Sequence, residues 1–527
     1  MGKRLCFLIL ALWAAGCSGG GDGAADPSAV RIHLSSEPVT LDFSAAEDGL
    51  SMRVLGALMS GLTRYDGENR LINGIAESIE RKNGGRGFRV RLREWKWSDG
   101  VPVRAADFVY GIRRTLEPGA VTKLADLLFF IKDALPYKQG KLKDFSKVGV
   151  RAPDDRTLEF ELESAFGFFP HILSLSMTFP QREDLVAKWG ARWPEHMAAT
   201  GPYRIARWER DQALWLERNP HYPDFAADMP SRIEFRVVHD ENTAANLLES
   251  GKLDLAFRIP ALELERFRKT GRVKEFPFFA TYYLGFDQRK APWNLRAARA
   301  AVAHAIDRGS LVRALGGGDR AATSWIPPEV PGANAAAGLK HDVARARAEW
   351  KKVPSSKEKS AAYSKAFVLG FDAAAKNQTA AEKIRADVKD ALGIELALRN
   401  RDWKTYVREL SADTPPIYRF GLMSLFVDAF AHLFLFESGN PNNYTGWSSG
   451  EYDRLLHAIA AIDPAGAGAQ PRRQKLIDRA QKMLLVDDVV IVPIFHYVQT
   501  VAFSKRMKDF RVNGMGLIDF ASLRLAK

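Results

Sequence analysis

Apolar and polar positions alternate most regularly in residues 88–93, where Phe, Val and Leu take turns with three arginines. A period of two residues is typical of a strand with one buried face. Trp95 and Trp97 continue the alternation one residue out of phase, which predicts a bulge near Glu94. After a Ser-Asp-Gly turn, the apolar positions of residues 105–116 follow helical spacing. This stretch therefore predicts a strand, a turn and a helix.

Short apolar runs and amphipathic stretches alternate along the rest of the chain. The pattern predicts strands at 31–34, 151–162, 233–238 and 394–398, and helices at 52–62, 243–251, 296–308 and 382–392. Strands that alternate with helices are typical of mixed sheets covered by helices. We therefore predict an α/β fold.

Several motifs carry more information than the periodicity does. Residues 91–110 read RLREWKWSDGVPVRAADFVY, residues 200–203 read TGPY, and residues 442–447 read NNYTGW. Together they resemble the large solute-binding proteins of peptide ABC importers, the oligopeptide- and dipeptide-binding family. The resemblance runs from Ile32 to Ala502, and it is weakest in the Ala-, Lys- and Arg-rich residues 327–364.

This resemblance implies a periplasmic-binding-protein-like clamshell of type II, cluster C, with two lobes and an extra third domain. The apolar run 489–501 resembles the family's strand that returns to the first lobe. The implied division is lobe I from 28–48, 196–285 and 491–527, an extra domain from 49–195 packed on lobe I, and lobe II from 286–490.

The N-terminus has the features of a targeting segment. Lys3 and Arg4 precede an apolar run that is shorter than the roughly 20 residues needed to span a bilayer. The sequence AAGC that ends at Cys17 resembles a bacterial lipobox, so we expect a signal peptide at 1–16 and lipidation of Cys17. Residues 17–27 would then be a flexible tether. The alternative is a plain secretory signal that happens to contain a cysteine.

Composition limits the other function classes. The chain has 527 residues, is 46% hydrophobic, and carries a formal net charge of +13. Lys and Arg are interleaved with Asp and Glu rather than grouped in blocks, which favours a solvated basic surface over a nucleic-acid site. Attraction to an anionic surface or ligand is the alternative.

Catalytic and metal-binding motifs are missing from the sequence. It contains no Gly-x-Ser-x-Gly, His-Glu-x-x-His or Cys-x-x-Cys, and the ten histidines are scattered. We therefore expect a binding protein without enzyme activity, cofactor or metal. An exported hydrolase is a distant alternative.

The family resemblance also implies how a ligand is held. Two lobes close over an extended peptide, whose backbone pairs as in strand addition, and an Asp binds the peptide's amine. Arg419 matches the family's arginine and Asp428 matches its second acid, but the amine-binding Asp falls on Leu425 and a nearby Trp falls on Leu422. The amine anchor is therefore predicted to be missing. Asp428 or Glu37 is a possible substitute, although Asp428 is equally well explained as a helix cap.

Further cleft candidates are aromatic or amide side chains near the matching motifs, although each aromatic is also well explained as core. Besides Tyr406 and Trp447, these candidates are Trp403, Asn443, Tyr444, His496 and Tyr497.

The sequence thus predicts a lipid-anchored, extracytoplasmic solute-binding protein of a bacterium. It would bind peptides or a peptide-like solute as a monomer and deliver them to a permease with two membrane subunits and two ATPases. A sensor or scavenger lipoprotein on the same fold, not coupled to transport, is the alternative.

Overall fold

The computed structural model describes residues 28–46, 48–120, 123–354, 366–464 and 466–526. The predicted signal peptide, the tether and Cys17 lie outside these described residues. Within them, no helix combines the length and the apolar character that a membrane span requires.

The strands and helices alternate along most of the described chain. The strands are β1 (Ala29–Leu34), β2 (Thr63–Tyr65), β3 (Leu71–Asn73), β4 (Ala76–Lys82), β5 (Gly87–Leu92), β6 (Val150–Asp154), β7 (Thr157–Glu161), β8 (Tyr203–Glu209), β9 (Ala213–Arg218), β10 (Arg232–Val237), β11 (Leu255–Ala256), β12 (Val273–Phe286), β13 (Arg320–Ala321), β14 (Val368–Asp372), β15 (Ala397–Arg401), β16 (Ile417–Met423), β17 (Ile491–Phe503), β18 (Met507–Val512) and β19 (Ile518–Leu525). The helices are Gly49–Leu58, Ala105–Leu116, Ala134–Lys138, Phe169–Ile172, Glu183–Trp189, Glu241–Glu249, Ala261–Lys269, Arg296–Ala305, Arg308–Leu315, Val343–Trp350, Ala375–Leu392, Trp403–Ala412, Phe430–Leu433, Gly450–Ala461 and Ala469–Lys482.

One mixed sheet extends through the centre of the molecule. Its strand order is β15-β14-β16-β12-β17-β11-β1-β10-β9-β8, and β13 pairs with β17. The pairs β1–β10 and β14–β15 are parallel, whereas β12–β17 and β12–β16 are antiparallel. The mixture of parallel and antiparallel pairs, covered by helices, is the α/β arrangement that the sequence predicts.

The two long central strands connect the two halves of this sheet. β12 and β17 pair from Val273 opposite Ala502 to Gly285 opposite Ile491, with a register shift between Pro277 and Thr281. Beyond the shift, Tyr282 and its neighbours share a core with the helices Arg296–Ala305 and Ala375–Leu392. The connection between the halves is therefore two adjacent strands with an irregularity in the middle.

A separate four-stranded antiparallel sheet has the order β4-β5-β7-β6. Phe88, Val90 and Leu92 of β5 are buried, as their alternation predicts, and the predicted helix is confirmed as Ala105–Leu116. Its first turn is closed by Asp107, whose carboxylate accepts a hydrogen bond of 2.9 Å from the Arg104 backbone. These elements lie within the segment predicted as the extra domain.

Several predicted boundaries are wrong. The stretch 151–162 forms two strands, β6 and β7, and the helices predicted at 52–62 and 296–308 end at Leu58 and Ala305. Three further differences have a clear cause. β5 ends at Leu92 instead of continuing through a bulge, because the two following tryptophans are buried on an irregular segment. The predicted strand 394–398 lies three residues later, since pairing of Val368 with Ala397 sets the register of β15. The helix predicted at 382–392 begins at Ala375, because its first turns are too polar to show an apolar stripe.

The TGPY motif packs directly on the C-terminal end of the helix Gly49–Leu58. The Gly201 N–H donates to the Leu58 carbonyl at 2.8 Å, and the Thr200 hydroxyl accepts a 2.9 Å hydrogen bond from the Ser60 N–H. A Cβ on Gly201 would lie 2.7 Å from the Leu58 carbonyl carbon and the Met59 nitrogen, which are backbone atoms. Glycine is therefore required here by close packing of two backbones.

Gly201→Ala is expected to lower the free energy of unfolding by about 1–3 kcal/mol, because the added methyl must displace backbone. Gly56→Ala is the matched control within the neighbouring helix. Its Cβ would meet only Phe520 at an ordinary 3.8 Å, and helix propensity predicts a gain of about 0.5–1 kcal/mol. Urea denaturation of both variants measures the difference, and equal effects would contradict this account.

Candidate functional site

Strand β16 ends at a cavity of about 150 Å³. Asp126 and Leu127, from the segment 49–195, close the cavity from one side, and Asn440 and Asn442 give it a polar edge. The remaining wall is apolar and consists of Leu422, Leu425, Phe426, Phe430, Ala431, Phe434 and Leu435. The sequence-predicted positions Leu422 and Leu425 therefore line a cavity between two predicted domains.

Aromatic rings hold these two parts of the chain together beside the cavity. The Phe166 ring centroid lies 5.6 Å from that of Phe430, and Phe168 lies 5.5 Å from the same ring. Phe130 approaches Phe434 at 5.9 Å. The segment 49–195 therefore packs directly on the segment 426–436. Aromatic rings at these separations stabilise a contact by more than the burial of their apolar surface alone.

Asp428 does not offer a free carboxylate to a ligand. Both of its oxygens accept hydrogen bonds of 2.8 Å from Arg473, and one of them also accepts from the Phe430 N–H at 2.8 Å. Both side chains of this ion pair are almost completely buried. Of the two roles predicted for Asp428, the structure favours the structural one.

Glu37 is occupied as well. Its carboxylate accepts hydrogen bonds from the Trp208 indole at 2.8 Å, from Arg210 at 3.2 Å and from the Asp211 N–H at 3.1 Å. It does not line the cavity at the end of β16. Neither proposed substitute for the missing amine anchor is therefore available at this cavity.

Arg419 belongs to a charged network on β16, next to the cavity-lining end of that strand. Its guanidinium pairs with Asp372 and donates to the Tyr497 hydroxyl at 3.0 Å. The Tyr497 ring lies beneath the Lys376 ammonium, 4.8 Å from the ring centroid. The network is largely buried, and it places two cations beside Tyr497.

Two further predicted residues contact one ring of β16, and a third lies in a nearby turn. Trp403, which is 52% exposed, stacks on Phe420 at 6.0 Å, and Tyr444 meets the same ring edge-on at 5.8 Å. Asn443 instead stabilises its own turn, since its amide donates to the Trp447 carbonyl at 2.9 Å. Of the three, Trp403 presents the most surface to solvent.

His496 is a buried structural residue. Its two ring nitrogens lie 2.9 Å from the Thr281 hydroxyl and 3.0 Å from the Ser324 hydroxyl. Burial lowers the pKa of His496 to about 3, with a smaller contribution from Arg320. The imidazole is therefore neutral and already has a partner at each nitrogen.

Arg473, Asp126 and Leu127 are not predicted by the sequence. Arg473 is one of several basic residues on the helix Ala469–Lys482, and its role depends on contact with a residue 45 positions earlier. Asp126 and Leu127 lie about 300 residues from the strand end that they cover. No local pattern marks either contact.

A serine–histidine pair near the cavity lacks access to solvent. Ser424 Oγ lies 2.8 Å from His432 Nδ1, but both side chains are fully buried. Burial also lowers the pKa of His432 to about 3. Across the described ranges, no group of three or more His, Cys, Asp or Glu side chains is placed to hold a metal.

Comparison with known proteins identifies the chain's relatives. The family model described as bacterial extracellular solute-binding proteins, family 5, middle part, matches residues 70–444, which is more than half of the chain. The chain belongs to this family. Its members bind solutes and are not enzymes, so this family 5 chain is a solute-binding protein.

Individual relatives agree over nearly the full length. Bacillus subtilis oligopeptide-binding protein OppA is 26% identical, and the match covers 97% of each chain. The probable deoxycholate-binding periplasmic protein YgiS of Escherichia coli is 28% identical over 88% of this chain and 87% of its own. The solved structure of the Escherichia coli murein tripeptide binding protein MppA has a TM-score of 0.79 at 22% identity and covers 95% of this chain and 99% of its own.

The structural match confirms the fold class. The family 5 chain is a two-lobed clamshell of type II with an extra domain. The cavity at the end of β16 is lined by residues of the segment 49–195 and of the segment 286–490.

Proposed function

We propose that this protein is the extracytoplasmic substrate-binding lipoprotein of an ABC importer for peptides or peptide-like solutes. The relatives named above include an oligopeptide-binding and a murein tripeptide binding protein. The observation that carries the proposal is a cavity between two parts of the clamshell, at the strand end where the family resemblance implies ligand contacts.

Closure of the two lobes is the proposed switch. β12 and β17 join the lobes, and the register shift between Pro277 and Thr281 interrupts their pairing. A break in pairing gives two adjacent strands room to bend, as hinges at element ends do. In the arrangement described here, the aromatic contacts of Phe430 and Phe434 hold the cavity closed.

The cellular setting belongs to the same proposal. Lipidation at Cys17 would tether the protein to a membrane, with residues 17–27 as the spacer. The partner is a permease with two membrane subunits and two ATPases. This protein delivers its ligand to the permease as a monomer. The domain limits 28–48, 49–195, 196–285, 286–490 and 491–527 remain predictions, and a hinge within β12 and β17 would move the lobe limits from 285 and 491 into these two strands, whose ends share a core with the helices Arg296–Ala305 and Ala375–Leu392.

An amphipathic steroid acid is a second candidate ligand. One relative is named as a probable deoxycholate-binding protein, and the apolar wall formed by Leu422, Leu425 and Phe430 would contact one part of such a ligand, since a cavity of about 150 Å³ is smaller than a steroid. A sensor or scavenger role without a transporter is the alternative cellular function, and permease and ATPase genes beside this one would argue against it.

Isothermal titration of the purified protein tests the ligand class. We expect heat of binding with a mixture of three- to five-residue peptides, because backbone pairing tolerates varied side chains. Deoxycholate, a sugar and a nickel chelate are the comparison ligands. Heat with one of these and none with peptides would contradict the peptide assignment.

A further inference from the structure

The cavity at the end of β16 has the size and lining of a subsite for an apolar group. Its volume of about 150 Å³ equals that of engineered apolar cavities, also about 150 Å³, which take up benzene. Leu425, Phe426, Phe430 and Leu435 supply much of its wall. A phenyl ring or a branched aliphatic group would fill this space.

Charge at the cavity argues against an ammonium group there. Position 425, which would carry the amine-binding Asp of the family, is a leucine that lines the wall. Among the described lining residues, Asp126 is the one acid, and its charge already acts on the Lys138 ammonium. Burial lowers the pKa of Lys138, and the neighbouring carboxylates of Asp126 and Glu117 oppose this effect.

The other acids considered for this role are unavailable. Asp428 is paired with Arg473 through both oxygens at 2.8 Å, and Glu37 accepts three hydrogen bonds elsewhere. An ammonium group placed against Leu425 would lose its water without gaining a free partner, which is strongly unfavourable.

We propose that this cavity binds an uncharged, apolar end group of the ligand, of about the size of a phenyl ring, in place of a free amine. The proposal rests on the proposed function and names its substrate class as peptides whose N-terminus is blocked by an apolar acyl group. Asn442, at the polar edge, suits the amide that joins such a group to the peptide, whereas the side chain of Asn440 already donates to the Phe434 carbonyl and accepts from the Asn442 N–H.

Calorimetry with three matched probes tests this class. The probes are benzoyl-Gly-Gly-Ala, acetyl-Gly-Gly-Ala and free-amine Gly-Gly-Gly-Ala, and deoxycholate is a fourth arm. We expect the benzoyl peptide to bind about tenfold or more tightly than the free-amine peptide, because a buried ring removes apolar surface from water. Tightest binding by the free-amine peptide would overturn the proposal and leave the proposed function intact.

The remaining outcomes distinguish failure of the blocked-peptide class from failure of the proposed function. Binding of deoxycholate without any peptide would support an apolar subsite but overturn the blocked-peptide class. Failure of all peptides and of deoxycholate to bind would contradict the proposed function itself.

Leu425→Asp tests the same cavity by gain of function. The new carboxylate is expected to reverse the preference, so that the free-amine peptide binds about tenfold more tightly than it does to the unaltered protein. Leu425→Asn introduces a side chain of the same shape as aspartate but without its charge. This variant should bind the benzoyl peptide more weakly and should not bind the free-amine peptide more tightly. Phe434→Leu offers a milder change if the aspartate prevents folding, and an unchanged benzoyl affinity in that variant would overturn the proposal.

Discussion

Arg473→Met is expected to lower the free energy of unfolding by about 3–5 kcal/mol, because it leaves the carboxylate of Asp428 buried without its partner. Arg473 is 1% exposed and Asp428 is 2% exposed. The guanidinium also lies 4.5 Å from the centroid of the Phe168 ring, across the contact between the two parts of the clamshell. The loss therefore combines an uncompensated charge with a lost contact at the interface.

A double variant separates these contributions. Arg473→Met combined with Asp428→Leu removes both charges, and most of the lost stability should return, because a buried ion pair and a packed apolar pair are similar in energy. Arg91 and Glu77, an exposed pair at 3.2 Å, provide the control. Arg91→Met is expected to cost less than about 1 kcal/mol.

Urea denaturation at neutral pH measures all three variants. Equal losses for Arg473→Met and Arg91→Met would show that burial of the Arg473 pair has no energetic consequence. Full retention of the loss in the double variant would point to packing rather than to charge as its cause.

Mild acid is the second condition with a large expected effect. Burial lowers the pKa of His171 to about 4 and those of His432 and His496 to about 3. The unfolded chain takes up these protons near a pH of about 6.5, where the folded chain does not. The free energy of unfolding should therefore fall as pH decreases below about 6.5, by about 1.4 kcal/mol per pH unit for each histidine.

Two buried carboxyl groups change the pH dependence of stability in the opposite direction. Burial raises the pKa of Asp428 and of Glu437, and a carboxyl group shifted upward has the opposite effect on stability at low pH. Comparison of variants removes that background. His432→Gln should flatten the pH dependence by about 1.4 kcal/mol per unit between pH 5 and 6.5.

Exposed His221 provides the control for the acid experiment. His221→Gln makes the same substitution at an exposed side chain, so it separates the effect of burial at position 432 from the effect of losing a histidine. A slope for His432→Gln that equals that of the unaltered protein would contradict the assignment of His432 as a neutral buried group.

Local periodicity predicted those strands and helices whose own residues show a complete pattern of apolar spacing. The alternation in 88–92 and the helical spacing in 105–116 appear as β5 and the helix Ala105–Leu116. The strand at 397–401 was misplaced because pairing with β14, a distant partner, sets its register. The two tryptophans after β5 are buried by neighbours that no local pattern specifies.

Sequence likewise predicted some residues of the candidate site and not others. The register of the family motif located Leu422 and Leu425, and both line the cavity. The motif did not reveal that Arg473 forms an ion pair with Asp428, or that Asp126 and Leu127 line the cavity. These contacts join distant segments of the chain. His496 and Asn443 are cleft candidates from the sequence, but their polar atoms already have partners within the protein.

Small-angle X-ray scattering of the purified protein, with and without the peptide that binds most tightly in calorimetry, tests the central claim most directly. The account predicts a smaller radius of gyration with bound peptide, because the lobes joined by β12 and β17 close over it. It also predicts recovery of the peptide with its mass unchanged. An identical radius of gyration at saturating peptide, or recovery of a cleaved peptide, would contradict the claim.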